Sequence, residues 1–340
     1  MGKFVFFGGK GGVGKTTVSS AFALKSARAG LRTLVVSTDP AHSTADVFDQ
    51  AFDDEPRAVE GVDGLYAMEI DPDEAVEEHM MSIKRRMGEQ VSPAIVNEID
   101  RQIELAHRTP GAHEAALFDR FIEVMRDAEG QGPSDSRAAE QSGASDEWDR
   151  VVFDTAPTGG TLRILSLPEF LGEWIDRLVD KRARSIDLFE KAAIGEREAR
   201  LKAESDPIIA HLRERKEKFE FAGEALRERA AFYLVLNPDE LSIRETGRAI
   251  EGMRESGLAV DGLVVNKVTP APEEGEQGRG AAYLRDRVAT ERARIDQIEA
   301  EFEEPVVAVI ETRVEEVKGD LLTEVADELA IDASPEATTA

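Results

Sequence analysis

None of the 340 residues is cysteine. That absence removes disulfides, thiolate zinc sites and cysteine-held iron–sulfur clusters together. Positive charge is also scarce: 42 Lys and Arg face 69 Asp and Glu, for a formal net charge of −27. Nonspecific binding of nucleic acid needs a basic stripe, so no nucleic-acid partner is expected. A basic amphipathic helix lying on a membrane surface is disfavoured on the same ground. No apolar run approaches the roughly 20 residues that span a bilayer, so direct membrane insertion is not expected. The chain runs straight into an apolar strand without a signal-peptide pattern, and Phe6 stands where a myristoylation motif needs a small hydroxyl residue. A cytoplasmic, soluble protein is the expectation. Charge this far from zero repels itself and is tolerated best when salt screens it, which points to a halophilic source.

What is present is organised around Gly8 to Thr17 (GGKGGVGKTT). The apolar run Phe4-Val5-Phe6-Phe7 before it predicts a strand, and Val18 to Leu24 after it predicts a helix. Residues 9 to 16 fit G-x-x-x-x-G-K-S/T in the strand–loop–helix context that makes the pattern specific. Gly11, Gly12, Val13 and Gly14 let successive backbone N–H groups turn onto a phosphate. The helix start at Lys15, Thr16 and Thr17 adds its positive dipole end. Lys15 would reach the β- and γ-phosphates, and the Thr16 hydroxyl would ligate Mg²⁺. ATP and Mg²⁺ are the expected ligands.

Leu31 to Ser37 reads as a buried strand with Asp39-Pro40-Ala41-His42-Ser43 at its C-terminal end, the edge where chemistry collects in doubly wound sheets. A carboxylate there can orient the attacking water, although Asp39 taken alone also suits a turn or helix cap. Leu65 to Ile70 is a further strand. Three apolar stripes at helical spacing follow: Val76, Met80, Ile83 and Met87; Ile95, Ile99 and Ile103; Leu117, Phe121, Val124 and Met125. They interrupt the strand–helix alternation and predict an insertion outside the sheet. Residues 130–147 hold almost nothing to bury and read as a disordered surface loop. Val151 to Asp154 is a strand ending in an acid, the Walker B arrangement, with Asp154 supporting Mg²⁺ through a water. Thr155 to Arg163 forms a loop able to sense the γ-phosphate.

A second helical block runs from Leu162 to Arg229. Strands return at Ala231 to Leu236 and Leu258 to Asn266, around a helix from Ser242 to Glu255. Residues 269–280 are a Pro/Gly/Glu loop, Pro305 to Ile310 the last strand and Asp320 to Leu329 the last helix. The fold class is thus α/β: a P-loop NTPase with a doubly wound, mostly parallel sheet and a helical insertion subdomain. Residues 1–70, 150–165 and 230–330 would form the core, 71–129 and 166–229 the helical subdomain, and 331–340 a flexible tail. One P-loop makes the chain half of any two-site machine.

Lys10 makes the loop more particular. KGGVGKT, Lys10 to Thr16, resembles the deviant Walker A loop of a class of dimeric ATPases. In that class the extra lysine crosses to the partner's nucleotide, much as an arginine finger does. GGKGGVGKTT (8–17), DPAHS (39–43), Pro110 to Ala115, DTAPTGGTLR (154–163) and VVNK (264–267) together resemble the arsenite-pump and tail-anchored-protein targeting ATPase family over most of the chain. The resemblance implies that Asp39 activates water, Lys10 acts across a nucleotide-dependent homodimer, and Asn266 reads the adenine edge. It also implies that the helical insertions form an apolar groove for the transmembrane segments of client proteins, delivered to the membrane and to any receptor there. Any single stripe taken alone is better read as the core packing of one helix on its neighbours.

Several positions depart from the family pattern. Gly160 stands in place of a usual His, His113 in place of a usual Asp, and the proline near the last strand is absent around Ile310 and Glu311. The family's zinc-binding cysteine pair and the metalloid-binding cysteines of arsenite pumps are missing. The leading reading is an ATP-hydrolysing chaperone and targeting factor. An arsenite-pump-type transport ATPase subunit and a general holdase stand beside it.

Overall fold

In a parallel sheet covered on both faces, strands read as continuous apolar runs, because no side of them meets water. Phe4–Gly8 (β1), Thr33–Ser37 (β2) and Arg150–Asp154 (β5) are buried at every position. The computed structural model describes residues 2–38, 43–71, 112–131, 148–154, 176–177, 179–180 and 207–334. Between the strands just named lie α1 (Lys15–Arg28), α2 (Ser43–Phe48), β3 (Arg57–Ala58), β4 (Leu65–Glu69) and α3 (Ala112–Ala128). After them come α4 (Pro207–Glu228), β6 (Ala230–Leu236), α5 (Glu240–Glu255) and β7 (Gly262–Val268). The chain ends with α6 (Arg279–Glu301), β8 (Val306–Glu311) and α7 (Gly319–Glu328).

The strands form one eight-stranded sheet in the order β3-β4-β2-β5-β1-β6-β7-β8. All neighbours pair in parallel except β3 with β4. The chain leaves β1 toward β2 on one side and builds β6 to β8 on the other. The crevice at the carboxyl end of β1 is therefore the topological switch point, where doubly wound sheets bind ligands.

Alternation along β1 sends Phe4 and Phe6 to one face, Val5 and Phe7 to the other. Phe6 lies in register with Phe153 of β5 and Phe232 of β6 and stacks on both, at 4.5 and 5.0 Å between centroids. Three aromatic rings thus tie the central strands across one face, with α3 and α4 packed over them. Phe121 of α3 meets the Phe153 ring edge-on at 5.1 Å, and Phe118 stacks on Phe219 of α4. On the opposite face Phe7 packs against Phe22 of α1, and Val325 and Leu329 at the α7 end join the same cluster.

The stripe of Phe121, Val124 and Met125 is accordingly core, buried against the sheet, with Leu117 partly buried beside it. Phe219 and Leu226 of α4 belong to the same cluster. The stripes from Val76 to Met87 and from Ile95 to Ile103, residues 132–147, residues 155–175 and most of 178–206 lie outside the described residues. So does Asp39. Residues 281–304 carry no apolar stripe that predicts an element, yet Arg279–Glu301 is a helix of 23 residues. The strand expected from Leu258 begins at Gly262; just before it, the Asp261 carboxylate accepts the Phe232 N–H at 2.8 Å and the Asp261 N–H donates to the Phe232 carbonyl at 2.7 Å. Among the described residues no helix is long and apolar enough to cross a membrane.

Candidate nucleotide site

The loop between β1 and α1 is pressed against two neighbouring strands. At Gly9 (φ 144°) a Cβ would sit 2.1 Å from the Val235 carbonyl oxygen of β6. At Gly14 (φ 92°), the N-cap of α1, it would sit 2.3 Å from Asn266 Nδ2. Neither position admits a side chain, and both lie in the left-handed region that glycine alone adopts without strain. A glycine N-cap supplies no side-chain acceptor to the first N–H groups of α1. Those donors and the dipole of the helix are what an anion would engage. Val13 anchors the middle of the loop, its side chain 1% exposed.

Asp154 ends β5 beside β1 and is buried. Its Oδ2 accepts from Thr16 Oγ1 at 2.6 Å and from Ser37 Oγ, at the end of β2, at 3.4 Å. A hydroxyl and a carboxylate in contact are hard oxygen donors of the kind Mg²⁺ takes, one or two at a time, with phosphates and water completing its shell. Among the described residues no cluster of three or more His, Asp or Glu could hold a metal ion unaided. The donor set therefore fits a metal that arrives with a polyphosphate, and Thr16 and Asp154 would hold it. Bound there, Mg²⁺ would neutralise charge developing on the phosphates.

The loop's two lysines point differently. Lys15 Nζ donates to the Lys10 carbonyl at 3.3 Å, lying along the loop. Lys10 Nζ stands 3.9 Å from Glu245 Oε2 of α5, with both side chains more than a third exposed. Lys10 is thus on the outer rim of the site rather than beneath it.

Two further sets of contacts had no sequence signal, although Asn266 and Lys267 themselves lie in the VVNK motif. Glu69, buried at the end of β4, accepts the Ala45 N–H at 3.0 Å and so fixes the start of α2, just beyond residues 39–42. At the end of β7, Asn266 Nδ2 donates to the Val13 carbonyl at 2.8 Å, and Lys267 Nζ to the Gly12 carbonyl at 2.6 Å. An adenine contact by Asn266 would then fall to its Oδ1. Lys267 holds φ 60°, a conformation that costs a side-chain-bearing residue about 1–2 kcal/mol. The segment is braced from behind: Thr312 N–H donates to the Val268 carbonyl at 2.8 Å. Thr269 gives its N–H and hydroxyl to Glu291 of α6, at 2.6 and 2.9 Å. Burial alone would raise the Glu291 carboxyl; the Thr269 N–H, the Arg287 guanidinium and the Thr269 hydroxyl together bring it below the ordinary value.

The structure thus gathers the glycine loop, Lys15, Thr16, Thr17, Asp154 and Asn266 at one sheet edge, with Lys10 at the rim. Comparison with known proteins places the chain in a family. The family profile described as anion-transporting ATPase matches residues 2–330. A protein of Aquifex aeolicus (strain VF5), provisionally named arsenical pump-driving ATPase 2, is 30% identical over 314 residues, covering 92% of this chain and 94% of that one. The ATPase GET3 of Candida glabrata is 30% identical over 321 residues, covering 93% and 86% respectively. The arsenical pump-driving ATPase of Escherichia coli is 33% identical over 281 residues; that match covers 82% of this chain but 42% of the longer protein.

Proposed function

The chain belongs to the anion-transporting ATPase family and is an ATPase, and from that premise we propose that it is a nucleotide-gated homodimer that shields transmembrane segments of client proteins. ATP would bind with its phosphates on the Gly11–Thr17 loop and its adenine edge at Asn266. Thr16, with Asp154 acting through a water, would hold Mg²⁺, which would supply charge neutralisation on the phosphates. A water oriented by Asp39 would attack the γ-phosphorus, its proton passing to the carboxylate while the bond to ADP breaks. Lys10, already on the rim, would reach the partner's nucleotide as charge develops there. The rim position of Lys10 is the observation that favours a dimer: a cation 3.9 Å from its own Glu245 and partly exposed is available to a second copy.

The choice between the functions borne by relatives is chemical. Arsenite presents a soft, thiol-seeking arsenic(III) centre, and a chain without cysteine offers it no thiolate. A client of about 20 apolar residues needs a long dry trough, and the methionines of the Met80 to Met87 stripe can adapt to varied side chains. A pump-driving subunit is the second reading, favoured by the names of the Aquifex and Escherichia relatives. Co-expression with a protein carrying a C-terminal transmembrane segment, at high salt, separates them. Soluble co-purification lost on Met80→Asp and Met87→Asp supports the chaperone. No capture, together with arsenite stimulation of ATPase turnover, overturns it in favour of the pump.

A further inference from the structure

Among the described residues, a positive φ outside glycine occurs only at Asp49 and Lys267. Lysine has no local hydrogen bond with which to favour that conformation, unlike Asn or Asp. What the conformation achieves is visible at the other end of the side chain, where Nζ meets the Gly12 carbonyl across 255 residues of sequence. The preceding residue, Asn266, holds the next carbonyl of the loop, that of Val13. Two consecutive residues of β7 thus grip two consecutive peptide units of the glycine loop.

A peptide unit is planar and trans, so its C=O and N–H point in opposite directions. Holding the Gly12 carbonyl toward Lys267 turns the Val13 N–H the other way. Holding the Val13 carbonyl toward Asn266 does the same for the Gly14 N–H. An ammonium donor also polarises the amide it binds and strengthens the N–H at its far end. Residues 268 and 269 do not move freely, being tied to Thr312 and to the buried carboxylate of Glu291. The grip on the loop is therefore made by a braced strut.

We infer that Lys267 is a positioning residue of the phosphate loop: with Asn266 it aims the Val13 and Gly14 N–H groups at the polyphosphate. The inference rests on the phosphate-site reading given above and adds the residue that sets the loop's donors. It separates Lys267 from a base contact, because a positioned loop acts on any polyphosphate, with or without adenine.

The test is displacement of a fluorescent ATP analogue by ATP and by inorganic tripolyphosphate, from the wild type, Lys267→Met, Lys267→Gly and Lys267→Arg. Lys267→Met keeps the stem and loses the charge. About tenfold weaker binding is expected for ATP and tripolyphosphate alike, as loss of one charge-assisted hydrogen bond implies. Lys267→Gly adopts φ 60° without strain, so the same loss is expected with an unliganded melting temperature no lower than wild type. Lys267→Arg should recover part of the affinity for both. Loss confined to ATP would make Lys267 a base contact and overturn the inference, as would unchanged affinity for both ligands. A wild type that binds neither ligand would overturn the phosphate site itself.

Discussion

Thr16 Oγ1 and Asp154 Oδ2 lie 2.6 Å apart although 138 residues separate them in sequence. The contact joins the start of α1 to the end of β5 across the β1–β5 pairing that brings Phe7 level with Asp154. Phosphate loop and acidic strand end thereby become one site, held by the stacked rings of Phe6 and Phe153 one residue earlier.

Removing the carboxylate charge should therefore disable metal use before it harms the fold. Asp154→Asn keeps the shape and still accepts from Thr16. The expected outcome is a fall in ATPase turnover of at least about 10² with the melting temperature within a few degrees of wild type, since a metal clamp stabilises charge in the transition state. The added stability that wild type gains from ATP with Mg²⁺ should shrink to that gained with ATP and a chelator. Thermal melts with and without Mg²⁺ read both effects.

Asp39 follows β2, whose last residue Ser37 reaches Asp154. If Asp39 orients the attacking water, Asp39→Asn should bind ATP as tightly as wild type while turnover falls by about 10² to 10⁴, the range of general-base contributions. Equilibrium binding beside single-turnover hydrolysis distinguishes this from a binding defect. Undiminished hydrolysis would remove Asp39 from the mechanism.

Lys10 and Glu245 form a loose, partly exposed pair, and solvent-screened pairs of this kind contribute at most about 1 kcal/mol. Glu245→Gln should leave the melting temperature nearly unchanged. Lys10→Ala should lower turnover by about 10³ if the lysine acts in trans, in line with other cations supplied across an interface. Mixing Lys10→Ala with Asp39→Asn protomers should then restore activity at one site per mixed dimer. Activity no higher than either variant alone would place Lys10 outside its partner's site.

The parts of this architecture written in the sequence are those carried by local pattern. Phe4 to Phe7 and Val151 to Phe153 are unbroken apolar runs, and each is a strand buried on both faces. The Leu117 to Met125 stripe announces a helix, but periodicity does not say what covers it; Phe153 of the sheet does. The helix at 279–301 has no stripe to read, because only Ala281, Glu291 and Ile298 are buried along it. The two-residue strand Arg57–Ala58 is exposed and carries no pattern at all. In the site, the glycine loop, Thr16 and Asp154 are legible because their spacing to strand and helix is local. The grip of Asn266 and Lys267 on Val13 and Gly12 spans more than 250 residues and exists only once β1, β6 and β7 lie side by side.

Glu291 allows a prediction in which acid is the variable. Its carboxylate is 9% exposed and accepts from Thr269 N–H, Thr269 hydroxyl and Arg287 Nε at 2.6, 2.9 and 2.8 Å. Burial works against the charge, and these donors overcome it, so the folded carboxyl titrates below the 4.5 of an unperturbed one. A depressed folded value means the charge stabilises the fold above the ordinary carboxylate range and ceases to do so as pH falls through the folded value. Glu291→Gln can accept from one of the three donors well but not from all. It should cost about 1–3 kcal/mol at pH 7, the scale of hydrogen bonds to a charged group. Between pH 5 and the acid limit of folding, wild type should lose stability more steeply than the variant, and the two curves should converge. Denaturant titrations at about half-unit pH steps measure the difference. Parallel curves would mean the carboxylate is not what braces Thr269, and the strut behind the phosphate loop would need another support.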